Sequence, residues 1–256
     1  MAKRHSIIIL LFVIIASAVV FVHSLSLKQP CTVRICQNKD CRSRYPSTAA
    51  AGETLARTFR DLVAPSGLSQ VAVEASECLG QCGRGPNVAV NCNGNGGGRD
   101  KMYYGVVDPQ TAAAILEVSC DYDPPPMLLA AADVMARAGK ATSPSKKVSL
   151  LTSAVDALSG DSTLSSASAV ARALVLRADA RMDADPTDTG GEALGDAQRA
   201  AELGPSYGKA WRTLADAREA GGDFSGAVEA VRRWAEAEPS LARKAKGEVE
   251  RLIARM

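Results

Sequence analysis

At 256 residues the chain is long enough for one or two domains. It is 46% hydrophobic and 23% charged but only 4% aromatic, and 30 basic against 28 acidic side chains leave a formal charge of +2. Near balance excludes the strong basic stripe that captures nucleic acid. Seven cysteines are too few for a small disulfide scaffold and, being odd in number, cannot all pair within the chain. The two histidines, His5 and His23, both lie in the hydrophobic leader. Removal of that leader leaves no histidine, which excludes Ser–His and Cys–His nucleophile pairs and histidine metal ligands. A metal site must then be built from cysteines or carboxylates.

Residues 1–24 read MAKRHSIIILLFVIIASAVVFVHS: a basic start at Lys3 and Arg4, a 16-residue uncharged run from Ile7 to Val22, and an A-x-A cleavage pattern at Ala16-Ser17-Ala18. These three features predict a secretory-type signal peptide over 1–18. A retained anchor is the competing reading, but at about 1.5 Å per residue the run falls short of a hydrocarbon core of about 30 Å. Residues 19–30 have no acid, two serines and Lys28, a short transit-like segment. The leader therefore carries the positive charge, and the remainder of the chain is close to neutral.

The cysteines are Cys31, Cys36, Cys41, Cys78, Cys82, Cys92 and Cys120. Two local pairs stand out, Cys36-QNKD-Cys41 and Cys78-LGQ-Cys82. The first follows TVRI, an alternating run that predicts a buried strand. The second lies among Gly80, Gly83 and Gly85, which allow close backbone approach and positive φ. Four thiolates on two loops at one end of a small domain suit a pair of tetrahedral irons, and backbone N–H groups of the glycine loop can donate to the sulfurs. Three other chemistries compete for these residues. A four-cysteine zinc site is one, although zinc favours C-x2-C knuckles and these gaps are three and four residues. A thioredoxin-type redox pair needs C-x-x-C, which is absent from the sequence. Disulfides suit an exported protein.

Helical and strand patterns flank these pairs. Leu55, Phe59, Leu62 and Val63 form a helical stripe before Pro65, and Val71, Val73 and Ala75 alternate as a strand. Val88 and Val90 begin a hairpin that Met102–Val106 closes, and Asp108-Pro109 is an N-cap with proline at N1. The hairpin turn from Asn93, GNGGGRD, lies between strands and lacks G-K-[ST], so it is not a phosphate loop.

The segment from Thr32 to Glu117 resembles the thioredoxin-like [2Fe–2S] ferredoxin family, which includes the small cluster-bearing subunit of respiratory NADH dehydrogenase. The resemblance rests on Cys36 at a strand end, Cys41 after four residues, and Cys78-x3-Cys82 within C-L-G-x-C-G-x-G-P, ending at Pro86. It implies a βαβ unit, a hairpin and a last helix over 31–122. It further implies a [2Fe–2S] cluster held by Cys36, Cys41, Cys78 and Cys82 and supported by the loop residues Gly80, Gly83, Gly85 and Pro86. The chain departs from the family pattern after Cys41, where Arg42-Ser-Arg-Tyr-Pro stands in place of an early glycine. Cys31 lies one C-x4-C step before Cys36 and offers a ligand in a shifted register. Cys92 and Cys120 are expected to be buried thiols.

Pro124-Pro125-Pro126 marks a stiff linker over 123–126. Beyond it, residues 127–256 are rich in Ala, Leu, Arg and Glu with helical periodicity. Trp211, Leu214, Ala215, Gly222-Asp223-Phe224, Ala227, Val231 and Pro239 fall at fixed offsets of a 34-residue unit, and Ala193, Ala197, Ala200 and Pro205 mark a degenerate copy. This pattern resembles the tetratricopeptide repeat, a helix hairpin closely packed through small residues. Met127–Ala138 with Lys146–Leu158 would form a first hairpin and Ser240–Ile253 a cap, the minimum for a solenoid. Trp211 and Trp234 are expected in the repeat core. Lys209 suits carboxylate capture, but Thr213 and Leu176 stand where arginine and asparagine would be wanted, which argues against chaperone-type docking.

The expected fold class is thus an α/β thioredoxin-like ferredoxin domain followed by an all-α tetratricopeptide-repeat solenoid, a combination similar to a group of plastid proteins of plants and algae. The expected function is a one-electron redox module docked to a protein complex through its helical repeats, in a plastid reached by a bipartite leader. The alternatives are a non-catalytic assembly or scaffold factor of a photosynthetic membrane complex, with a structural or vestigial cluster, and a disulfide-stabilised exported or membrane-anchored binding protein. A protein partner on the repeats is expected, with no nucleic acid. Contact with a membrane would come through a complex or an uncleaved leader, and no stand-alone catalyst is expected.

Overall fold

The computed structural model describes residues 30–38, 40–41, 55–63, 71–92, 99–160, 167–185 and 191–256. The signal peptide, the transit-like segment except Pro30, and the turn at 93–98 lie outside the described residues. Among the described residues no helix is long and apolar enough to cross a membrane.

Strand β1 (Cys31–Cys36) alternates Val33 and Ile35, at 0% and 1% exposure, with half-buried Thr32 and Arg34. Such β-branched alternation suits a strand whose two faces differ in burial. Helix α1 (Leu55–Val63) follows, burying Leu55, Phe59, Leu62 and Val63 as its stripe predicts. Strand β2 (Val71–Ser76) runs parallel to β1, with Val33 opposite Val73 and Cys36 opposite Ser76. Strands β3 (Val88–Asn91) and β4 (Lys101–Tyr103) form an antiparallel hairpin whose first strand pairs antiparallel to β1, giving the order β2-β1-β3-β4. Strand β4 is shorter than the expected Met102–Val106. Helix α2 (Pro109–Cys120) opens on its predicted cap: Asp108 Oδ1 accepts from the Thr111 N–H at 2.7 Å, and Oδ2 accepts from the Thr111 hydroxyl at 2.9 Å.

The rest is helical. Helix α3 (Pro126–Lys140) starts on the last proline of the run, where a missing N–H costs nothing. It pairs with α4 (Pro144–Ser159), α5 (Ala167–Ala184) pairs with α6 (Glu192–Leu203), and α7 (Gly208–Ala220) with α8 (Phe224–Ala237). Helix α9 (Ala242–Ile253) packs on α8. The fold is therefore mixed α/β, a small four-stranded sheet followed by many helices. The turn between α7 and α8 follows the sequence closely: Gly222 takes φ +79°, and Asp223 Oδ1 caps α8 by accepting from the Gly226 N–H at 2.8 Å. Leu214, Ala215, Ala227, Val231 and Trp234 are buried, as are Ala193, Ala197 and Ala200 of the degenerate unit.

One apolar cluster runs through both halves, from Val33 and Phe59 to Leu214 and Trp234. Helix α1 touches α2 and α3, and its Asp61 forms a buried ion pair with Arg172 of α5. Arg57 of α1 stacks 3.7 Å from the ring centroid of Tyr207, just ahead of α7, and the Tyr122 hydroxyl donates to the Leu62 carbonyl at 3.0 Å. The sheet unit is thereby held against the first helix of each hairpin.

Candidate metal centre

Three of the expected ligands meet at one end of the sheet. Cys36 is the last residue of β1, where parallel pairing with β2 ends. The Gln37 N–H donates to the Ser76 carbonyl at 2.8 Å, and this clamps the two strand ends together. Past Ser76 the chain reaches Cys78, while Cys41 sits in a helical turn that Asn38 initiates, its side-chain oxygen accepting from the Asp40 N–H at 3.0 Å. The Cys36 sulfur thus faces both the Cys41 and the Cys78 side chains. Cys36 and Cys41 are buried and Cys78 is exposed, all three as thiols.

The surroundings of Cys36 ease its ionisation. Burial pushes its pKa up, but hydrogen bonds from the Leu79 and Asn38 N–H groups and from the Cys41 and Cys78 thiols outweigh that, leaving it below the ordinary value of 9.0. Each backbone donor lies within one of the two cysteine loops, so the groups that lower the Cys36 pKa come with the loops themselves. Cys82 opens a short 3-10 turn (Cys82–Arg84) in the same loop as Cys78.

The expected loop supports differ in what they do. Gly80 takes φ +81°, a left-handed conformation that a side chain would strain. A Cβ on Gly85 would lie 2.6 Å from Cys41 Sγ, so this glycine gives Cys41 its room. A Cβ on Gly83 meets nothing within 4 Å. The carbonyl of Pro86 accepts from the Val106 N–H at 3.1 Å and ties the loop to the end of the hairpin.

Asn87, which the motif does not single out, is the central brace. It is fully buried; its side-chain amide donates to the Gly80 carbonyl at 2.6 Å and to the Gln81 carbonyl at 3.3 Å, and its backbone carbonyl accepts from the Cys36 N–H at 3.1 Å. It thereby joins the Cys78 loop to the Cys36 strand end. The sequence signal was present in an asparagine directly after the C-L-G-x-C-G-x-G-P string. A buried role for it follows only from the loop folding back over β3.

Two expectations for the remaining cysteines are corrected. Cys92 is not a thiol: it forms a disulfide with Cys31. Pairing of Thr32 with Asn91 across β1 and β3 brings the next residues, Cys31 and Cys92, opposite each other. Cys31 is also no alternative ligand beside Cys36, because five strand steps of about 3.3 Å separate them by roughly 16 Å. Cys120 is a buried thiol as expected, and burial pushes its pKa up to about 11. Its sulfur and those of Cys31 and Cys92 all lie within 4.8 Å of one another, so a second set of three cysteines is close enough to hold a metal ion.

In the helical region Lys209 pairs with Asp179 at 3.0 Å, and the Thr213 hydroxyl donates to the same carboxylate at 3.0 Å. Trp234 is buried, whereas Trp211 is half-buried with its indole N–H on the Pro205 carbonyl at 2.8 Å. Against this geometry, no family model, curated protein or solved structure matches the chain.

Proposed function

We propose that this protein is a one-electron redox module in which Cys36, Cys41, Cys78 and Cys82 hold a [2Fe–2S] cluster, and that its helical region docks it onto a protein complex. What carries the reading is the meeting of Cys36, Cys41 and Cys78 at one end of the sheet, with Cys82 in the same loop. The donor set fits: thiolates are what iron–sulfur clusters require, and N–H groups aimed at a ligand sulfur are a recognised means of tuning potential. When bound, such a cluster accepts and releases single electrons.

The chain's own residues account for the rest. Leu79 and Asn38 lower the pKa of Cys36, Gly85 makes room for Cys41, and Asn87 keeps the two loops in register. Exposed Cys78 brings the site to the surface, where Arg84 lies 5.8 Å from the ring centroid of Tyr104, itself 38% exposed. That rim is where an electron-transfer partner would approach. The thioredoxin-like fold belongs to the same reading, supported by the chain order β1-α1-β2-β3-β4-α2 and the sheet order β2-β1-β3-β4. A tetratricopeptide-type array is supported by three successive helix hairpins, a final helix and the 34-residue spacing between Asp179 and Thr213. A plastid location through a bipartite leader completes the proposal. The Cys31–Cys92 disulfide accords with a route that begins in the secretory pathway.

The test is protein purified without air, analysed for iron, sulfide and zinc. About two irons and two sulfides per chain with a paramagnetic signal on reduction are expected. Stoichiometric zinc without iron overturns the cluster and leaves a structural four-cysteine site.

A further inference from the structure

The cysteine trio at the opposite end of β1 takes no part in holding that cluster. Cys31 opens β1, Cys92 follows β3 and Cys120 ends α2, so three rigid elements deliver three sulfurs within 4.8 Å of one another. We propose that Cys31, Cys92 and Cys120 form a redox-gated site for Cu(I), shut while Cys31 and Cys92 share a disulfide and opened when a dithiol reduces it.

Ligand number and softness select the ion. Among the described residues the group consists of these three cysteines alone, without histidine or carboxylate. Structural zinc sites and iron–sulfur clusters ordinarily take four protein ligands. Three thiolates suit a soft ion content with trigonal coordination, and thiolate ligands favour Cu(I). With metal–sulfur bonds of about 2.3 Å, a trigonal site sets its sulfurs about 4.0 Å apart, inside the 4.8 Å that bounds the trio.

A second feature points to a cation. The Ser119 carbonyl lies 2.8 Å from Cys92 Sγ and 3.9 Å from Cys31 Sγ. It belongs to the last turn of α2, where carbonyls lack intrahelical partners and the helix presents its negative end. The hydroxyls of Ser119 and Tyr103 bond each other beside it, which leaves the carbonyl facing the sulfurs.

The redox step balances. One thiolate of the dithiol attacks a disulfide sulfur and releases the other cysteine as a thiolate; the second thiolate then attacks the mixed disulfide at the reductant's own sulfur and releases the remaining cysteine thiolate. The reductant leaves as its own disulfide, and Cys31 and Cys92 gain two electrons and two protons in all. Loading Cu(I) then displaces three protons from three thiols.

The proposal is independent of the cluster, and residue-resolved footprinting keeps the two apart. Full-length protein is reduced with dithiothreitol under argon, loaded with one equivalent of Cu(I) and alkylated with iodoacetamide, and each cysteine is read by peptide mass. Protection of Cys31, Cys92 and Cys120 together is expected relative to reduced protein without Cu(I); in protein that was never reduced, Cys31 and Cys92 stay unalkylated only as a disulfide-linked peptide pair and Cu(I) adds no protection at Cys120. Protection confined to Cys36, Cys41, Cys78 and Cys82, or Zn(II) protecting the trio as well as Cu(I) does, overturns it. Cys120→Ser and Cys120→Ala, checked for fold by circular dichroism, should each weaken Cu(I) binding at the trio by more than the ~100-fold that outer-shell changes cost. Unchanged affinity in either folded variant also overturns it.

Discussion

A Cβ on Gly85 would sit 2.6 Å from Cys41 Sγ and 3.2 Å from Cys41 Cα. The near atoms therefore include backbone, which cannot swing aside as a flexible side chain does. Gly85→Ala is expected to cost about 1–3 kcal/mol, the usual penalty for overpacking, and to lower iron retained per chain. Gly83→Ala is the matched control, since its added methyl meets nothing within 4 Å; it should stay within about 0.5 kcal/mol of wild type. Urea midpoints and iron assays of the two variants check both statements, and equal losses would remove Gly85 from the site. At this scale the closeness of Cys36 and Cys41 was legible because it is local, its spacing written in consecutive residues. Asn87 and the Cys31–Cys92 bond were not. Each depends on which strand lies beside which, and a strand's own alternation does not encode its neighbour.

Helix α9 buries little of itself, chiefly Ala245 and Leu252, and is held instead by charge. Arg251 donates to both oxygens of Glu219 on α7, at 2.7 and 2.6 Å, and to Glu248 at 3.0 Å. Arg212 of α7 reaches Glu248 at 2.6 Å, and Arg255 also pairs with Glu219. Hydrogen bonding from Arg251, opposed by desolvation, holds the Glu219 carboxyl below its ordinary 4.5, and a separate hydrogen bond from Arg251 likewise lowers Glu248 against desolvation. A carboxyl lowered on folding stabilises the folded state above its unfolded pKa, and that stabilisation is lost as pH falls through the folded value. Amide-exchange protection of α9 should therefore drop between pH 6 and pH 3. The drop should be about fivefold, because exposed pairs contribute up to ~1 kcal/mol each. Arg251→Gln should lower protection at pH 6 and flatten its pH dependence; an unaltered profile would mean that packing alone holds the helix. The elements themselves were largely legible. The Asp108 cap, the α1 stripe and the Gly222-Asp223 turn are local signals, and each stands where its residues put it. Strand β4 came out short because Tyr104–Val107 leaves the sheet to meet the cysteine loop, where the Val106 N–H bonds the Pro86 carbonyl.

For the whole molecule, the proline run suggests two bodies on a stiff connector, yet the two halves share a core. Asp61 and Arg172, at 2% and 5% exposure, cross between them as an ion pair, and Gln110 of α2 reaches Asp133 of α3 at 2.9 Å. Neither Asp61 nor Arg172 stands out in the sequence: Asp61 sits in an ordinary amphipathic helix, Arg172 in an alanine-rich helix buried nearly all round, and neither pattern names the other as its partner. Asp61 Oδ1 has no hydrogen-bond partner among the described residues, so the ion pair carries most of what compensates that buried carboxylate. Removing one member of such a pair leaves a buried charge uncompensated and costs about 3–5 kcal/mol, whereas replacing both with apolar groups can be close to neutral. Asp61→Ala should therefore destabilise by that amount, and the paired change Asp61→Leu with Arg172→Leu should recover most of it. Both tryptophans, Trp211 and Trp234, lie in the helical half. Their fluorescence can therefore be compared with amide exchange of β1 and β3 along one urea series. Coincident transitions are expected for wild type, because a shared core must open in both halves together. In Asp61→Ala the sheet should open at lower urea than the helices, since loss of the Asp61–Arg172 pair weakens their contact more than either half alone. If the two transitions stay coincident and the cost is under about 1 kcal/mol, the apolar contact of α1 with α3 is what binds the halves, and the ion pair only orients them.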